Sequence, residues 1–128
     1  MVGILNLPLG QKRAPFVESV DFKGQNFTGA AFLMHFRNLP GDTGTPIIAL
    51  SNAAAGTQGL SVSVATVSGV PTSTLTIQID EATLEALPFG APADEYLKLH
   101  YDLHVTPSGG VKKVWLRGLF YVDPGVTI

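Results

Sequence analysis

Tyr96-Leu97-Lys98-Leu99-His100-Tyr101-Asp102-Leu103-His104-Val105 alternates without a break. Leu97, Leu99, Tyr101, Leu103 and Val105 fall on one side of an extended chain, and Tyr96, Lys98, His100, Asp102 and His104 on the other. Side chains of a strand point alternately to its two faces, so this period predicts one face in a core and one in water. Thr106-Pro107-Ser108-Gly109-Gly110 follows, with Pro early and two glycines late. That composition suits a hairpin loop, because glycine supplies the positive φ such loops need. Val111 to Val122 then alternates again, Val114, Leu116, Gly118, Phe120 and Val122 against Lys113, Trp115, Arg117, Leu119 and Tyr121. The whole stretch reads as the central hairpin of a β-domain.

Working outward, the remaining chain repeats the pattern in shorter pieces. Phe16 to Phe22, Ala31 to Arg37, Pro46 to Leu50, Leu60 to Ala65 and Thr74 to Ile79 alternate or are rich in β-branched residues. Turn chemistry separates them at Lys23-Gly24-Gln25-Asn26, Asn38 to Thr45, Ser51 to Gly59 and Ser68-Gly69-Val70-Pro71. Only Asp80 to Leu87 resembles a helix. Asp80 is placed to cap it, Glu81 suits its positive end, Pro88 stops it, and Leu84 and Leu87 would cover one end of a core. Phe89 to Asp94, with Gly90 and Pro92, leads back into the central hairpin. Several short strands and one small helix predict an all-β fold, an antiparallel β-sandwich of Greek-key, Ig-like or jelly-roll-like kind. Residues 1–15, apolar but broken by Pro8, Gly10 and Pro15, read as an extended N-terminal arm, and 16–128 as a single sandwich domain.

With 128 residues the chain is one domain large enough to need no metal or disulfide staple. Charged residues make up 14%, low against about 25% in a typical soluble domain. A surface so poor in charge leaves apolar area for other chains to cover. The net charge of −2, with Lys and Arg scattered, speaks against nucleic acid and anionic membranes as partners. No apolar run is long enough to enter a membrane as a span, and the start lacks the basic residues of a signal peptide, so synthesis in a cytoplasm is expected. There is no cysteine, which removes disulfides, thiolate metal sites and a cysteine nucleophile.

Catalytic chemistry finds little footing. His100 and His104 make a His-x-His on one strand face, a spacing that zinc can use, with His35 as a third ligand if its strand lies alongside. The same face carries Lys98 and Asp102, and an ordinary polar face is the better reading. No Gly-x-Ser-x-Gly elbow, phosphate loop or separated carboxylate pair is present. No catalytic residue, metal ligand or cofactor is therefore assigned.

An interface is the better use of the unspent residues. If Val114, Leu116, Phe120 and Val122 supply the core, then Trp115, Arg117, Leu119 and Tyr121 face the other way and need cover. Trp and Tyr are favoured at interface centres, and Arg117 is suited to a partner's carbonyl or carboxylate at the rim. Ile4, Leu5, Leu7 and Leu9 of the arm are expected to lie on a neighbour. A homo-oligomer follows from this reading. A host surface glycan is the alternative partner, although the clustered amides and acids of a sugar site are not legible in the sequence.

Four stretches carry a resemblance. They are Phe27-Thr28-Gly29-Ala30-Ala31-Phe32-Leu33-Met34-His35-Phe36-Arg37, Ala82-Thr83-Leu84-Glu85-Ala86-Leu87-Pro88, Tyr101-Asp102-Leu103-His104-Val105-Thr106 before Gly109-Gly110, and Arg117-Gly118-Leu119-Phe120-Tyr121-Val122 before Pro124-Gly125-Val126-Thr127. In order they resemble a Leu-Thr-Gly-Ala opening into a strand, a short helix, a Tyr-Asp-Leu hairpin and a closing strand found in tailed bacteriophages. The family is the N-terminal domain type of siphophage upper baseplate proteins, reused in tail, fibre and adaptor proteins. The resemblance runs from about Phe16 to Thr127 and has no counterpart for the first fifteen residues. It implies a sandwich-like fold, a tail-associated place in the virion, other virion proteins as partners, and no catalysis.

Overall fold

The computed structural model describes residues 3–90 and 94–126. Residues 1–2 of the expected arm, residues 91–93 of the loop that follows Phe89, and Thr127 of the closing motif lie outside the described residues. In chain order the elements are β1 (Gly3–Ile4), β2 (Gly10–Gln11), β3 (Phe16–Lys23), β4 (Ala31–Arg37), β5 (Ile48–Ser51), β6 (Gly59–Val67), β7 (Val70–Ile79), α1 (Glu81–Glu85), β8 (Leu97–Thr106) and β9 (Lys113–Asp123). They form two sheets packed as a sandwich. The larger runs β1-β9-β8-β4-β5, with β2 also on the outer edge of β9, and the smaller runs β3-β7-β6. The long strands pair antiparallel, as the alternating patterns predict, while β1 and β2 lie parallel to β9.

Alternation decides what enters the core. Met34 and Phe36 of β4, Leu99, Leu103 and Val105 of β8, and Phe120 of β9 are fully buried from the large sheet, and Leu75, Ile77 and Ile79 of β7 meet them from the small one. Phe120 joins the layers, its ring edge-to-face with Phe16 at 4.9 Å and Phe36 at 5.4 Å. Burying each such side chain contributes about 1.5–3 kcal/mol. The hairpin β6–β7 closes through Ser68 (φ 51°) and Gly69 (φ 79°), two left-handed residues that match the strand twist. Ser73, in parity with Leu75, is the polar exception in the described core. Its hydroxyl accepts the Phe27 N–H and donates to the Gln25 carbonyl, both at 2.8 Å, tying the β3–β4 loop to β7.

The helix is shorter than the expected Asp80 to Leu87. It spans Glu81–Glu85, and the Asp80 side chain makes no capping bond. Instead Gln58 Oε1 accepts the Asp80 N–H at 2.8 Å and the Thr83 hydroxyl at 2.7 Å, so a loop residue from before β6 satisfies the helix start. Leu84 and Leu87 are buried, as their spacing predicts.

Trp115 corrects the expected parity of the last strand. Leu103 stands opposite Leu116 but His104 stands opposite Val114, so Trp115 is the extra residue of a β-bulge. The bulge turns the indole inward, where it meets Phe22 at 5.8 Å and Phe27 at 5.3 Å, both edge-to-face. Val114, expected in the core, is carried to the outward side opposite His104. Trp115 is thus half-buried against the core of its own chain and does not stand on the outward face with Arg117. Arg117, Leu119 and Tyr121, beyond the bulge, keep the outward parity read from the sequence.

The arm is the second correction. It does not project toward a neighbour but lies along β9 of its own chain, Ile4 opposite Arg117 and Gln11 opposite Asp123. Leu5 and Leu7 donate their N–H groups to the Arg117 and Leu119 carbonyls at 2.9 and 3.0 Å. Pro8 has no N–H to offer, and the pairing resumes only at Gly10. In the gap the Asn6 side chain accepts the Leu119 N–H at 3.1 Å. Leu7 is buried and Leu5 packs on the core, whereas Ile4 and Leu9 remain exposed at 75% and 44%. Gly118 makes this docking feasible, since a Cβ there would run into the Leu5 carbonyl. Lys12 ends the arm above the Phe89 ring, 5.1 Å from its centre.

Two outcomes follow. Trp115→Ala should lower stability by about 2–4 kcal/mol in urea titration, the cost of emptying a largely packed aromatic site. Gly118→Ala should release the arm without unfolding the sandwich, seen as lost hydrogen-exchange protection at the Leu5 and Leu7 amides with Leu99 and Leu103 still protected.

Candidate functional site

The two outer faces of the sandwich differ in chemistry. The small sheet presents Ser19, Thr74, Thr76, Ser61 and Ser63, cross-linked by a Ser19–Thr76 hydroxyl pair at 3.2 Å and a Thr74 hydroxyl donated to Asp21 at 2.7 Å. The large sheet presents the outward residues of β4, β8 and β9 in cross-strand rows. Arg37, His100 and Leu119 make one row, and His35, Asp102, Arg117 and Ile4 make the next. Leu33, His104 and Val114 make the third. All three histidines of the chain and two of its three arginines therefore share one face.

This face is concave. A groove of about 640 Å³ has the β8 residues as its floor. One lip is built by Ile4 and Asn6 of the docked arm with Leu119, the other by Leu39, Pro40, Gly41 and Asp42 of the β4–β5 loop. Both lips are largely apolar, and Leu39 is 60% exposed. The arm matters here through Tyr101 as well as through Gly118. The Tyr101 hydroxyl, turned toward the arm, donates to the Leu5 carbonyl. Burial pushes its pKa up to about 12 by disfavouring the phenolate, so it remains a donor at any physiological pH.

The acids of the groove are already engaged. His104 Nε2–H faces Asp102 Oδ2 at 3.3 Å, and Asp42 accepts the Leu39 N–H at 3.2 Å. Arg37 donates Nη1–H to the Gly44 carbonyl at 2.9 Å, which holds the loop lip and leaves the rest of its guanidinium free to act. Arg117 is exposed and has no side-chain bond among the described residues. His35 has its pKa lowered, first by burial and then by Arg37, against a smaller opposing pull from Asp102. Neutral imidazole at this position leaves a donor and an acceptor between two cations.

β4 does lie beside β8, so His35 stands near His100 and His104 as a third metal ligand would require. The imidazoles share the groove without sharing a centre. Among the described residues no three His, Asp or Glu side chains converge on a point that could hold a metal. The His104–Asp102 pair has no serine, threonine or cysteine beside it in the described lining. What the groove offers is recognition: cationic and neutral donors on a floor between two apolar lips. Sequence reasoning placed Arg117 and Leu119 on this face but missed Arg37 and the Leu39–Asp42 lip, whose proximity depends on β4 pairing with β8, and Asn6, which the arm brings in along β9. Tyr121 lies on the same sheet face beside Lys98, 40% exposed, outside the groove. No protein-family profile matches the chain, and no curated protein matches it either.

His35 supplies a pH test. Its folded-state pKa lies below its ordinary value of 6.5, so the unfolded chain takes up the proton first as pH falls. The contribution is therefore fully present above 6.5 and is lost as pH drops from there toward the folded value. Thermal melts between pH 8 and pH 5 should show a shallower acid decline for His35→Gln than for the natural chain.

Proposed function

We propose that the protein is a non-enzymatic structural component of a bacteriophage virion, tail-associated, that assembles with itself and with other virion proteins. The observation that supports this most is the uncovered outer face of the large sheet. There Ile4, Leu39, Leu119 and Tyr121 surround charged groups on a chain that otherwise spends little surface on charge. Faces of this kind, apolar at the lips with arginine among them, suit protein docking better than solvent. The four stretches that resemble siphophage baseplate domains agree with the reading. Ala31 to Arg37 and Arg117 to Val122 are the strands that build this face, and Tyr101 to Thr106 is its floor. The arm, docked on β9, adds an outer lip and so belongs to the assembling surface in place of reaching beyond it.

Sedimentation across the micromolar range tests the self-assembly half of the proposal. The natural chain should sediment as an oligomer, and Leu119→Glu with Tyr121→Glu should reduce it to a monomer with an unchanged circular dichroism spectrum. A monomer at every concentration would remove the homo-oligomer. Mass spectrometry and cryo-EM of particles from a phage encoding the chain test the other half, and its absence from the particle would end the virion assignment.

A further inference from the structure

We propose that the groove on the large sheet receives an extended acidic peptide segment of a partner protein, with two carboxylates held by Arg37 and Arg117. Unspent guanidinium donors carry the proposal. Asp102 stands opposite Arg117 across the β8–β9 pair and Asp42 shares the lip beside Arg37, yet among the described residues neither carboxylate is within ion-pair distance of either guanidinium. Arg37 keeps guanidinium donors beyond the one given to Gly44, and Arg117 gives none to a described residue. Guanidinium groups match carboxylates in a planar, two-bonded geometry, the strongest recognition this face can offer.

Spacing narrows the ligand. Arg37 and Arg117 lie two strands apart and one row apart, which places their backbones roughly 12 Å from each other. An extended chain advances about 3.3 Å per residue, so acids four positions apart, on the same side of the segment, span that distance. Each arginine also has an apolar lip beside it. Leu39 and Pro40 follow Arg37, while Ile4 pairs with Arg117 and Leu119 lies next along its strand. The segment that fits is acidic at two positions and apolar just outside them. A sugar chain fits less well, because Tyr101, the one Phe, Tyr or Trp of the described lining, is buried and its hydroxyl is spent on Leu5. That the partner is a virion protein rests on the reading above; the binding itself does not.

Every histidine of the chain lines this groove, so the imidazole signals in an NMR spectrum report on it alone. The probe is the peptide acetyl-Leu-Glu-Ser-Gly-Ser-Glu-Leu-amide, with its Gln-for-Glu counterpart and tetragalacturonate as comparisons. The acidic peptide should shift the imidazole signals saturably, and the Gln peptide should bind at least about tenfold more weakly. Arg117→Gln, which breaks no described bond, should weaken the acidic peptide by a similar factor with an unchanged amide spectrum. Arg37→Gln should do the same, and any loosening of the loop lip will show separately at the Gly44 and Leu39 amides. No shift at millimolar peptide, equal binding of the Gln peptide, or binding of tetragalacturonate in preference to the peptide each overturns the proposal. A monomer in sedimentation that still binds the peptide would sink the oligomer and keep the groove.

Discussion

β8 is hydrogen-bonded along both edges, to β4 on one side and β9 on the other, and the rest of the structure depends on that double constraint. A one-residue slip of a strand exchanges its two faces, and here such a slip would drive His100, Asp102 and His104 into the core and expel Leu99, Leu103 and Val105. Burial of those apolar side chains opposes it on one face, and desolvation of three ionisable groups opposes it on the other. Held in this register, β8 serves at once as the centre of the core and the floor of the groove. Fold and candidate site are opposite faces of one strand.

The arm shows how close backbone approach is engineered by the absence of a side chain. β9 would otherwise be an edge strand with a free row of N–H and C=O groups, the usual template for unwanted pairing. The chain covers that edge with its own first residues, through backbone bonds from Leu5 and Leu7, the Asn6 amide and the Tyr101 hydroxyl. Gly118 clears the crossing, and Gly10 fits where a Cβ would stand 2.6 Å from the Phe120 ring. The same packing that protects the edge also sets Ile4 and Asn6 at the lip of the groove. Core, edge and site are therefore coupled through a handful of contacts about Tyr101 and Gly118.

Charge is scarce in this chain, and its placement says more than its total. The small sheet turns hydroxyls to water, hydroxyls paired with each other or with Asp21. The large sheet gathers arginine, histidine and aspartate from three strands whose sequences look unremarkably polar one at a time. Exposed ion pairs contribute little to stability, so such a concentration is poorly explained as reinforcement of the fold. It is better explained as a surface for recognition, which is how the proposed docking role uses it.

Sequence alone determined the local elements, since strand alternation, turn chemistry and a proline stop are properties of neighbouring residues. Ala31 to Arg37 matches its strand to the residue, the run Tyr96 to Val105 lies one residue ahead of its strand at each end, and the inward sets of β4, β7 and β8 follow from parity. Three features were decided only in three dimensions. The bulge at Trp115 depends on how Phe22 and Phe27, about ninety positions away along the chain, leave room for an indole. The arm's place depends on a missing side chain at Gly118, which no period reveals. The groove depends on β4 meeting β8, a pairing between segments about 70 residues apart that follows from two apolar faces sharing one core. Alternation tells a residue which side of its own strand it occupies. Which strand lies alongside is settled by the packing of the whole chain, and only that packing could bring Arg37 and Arg117 to the same concave surface.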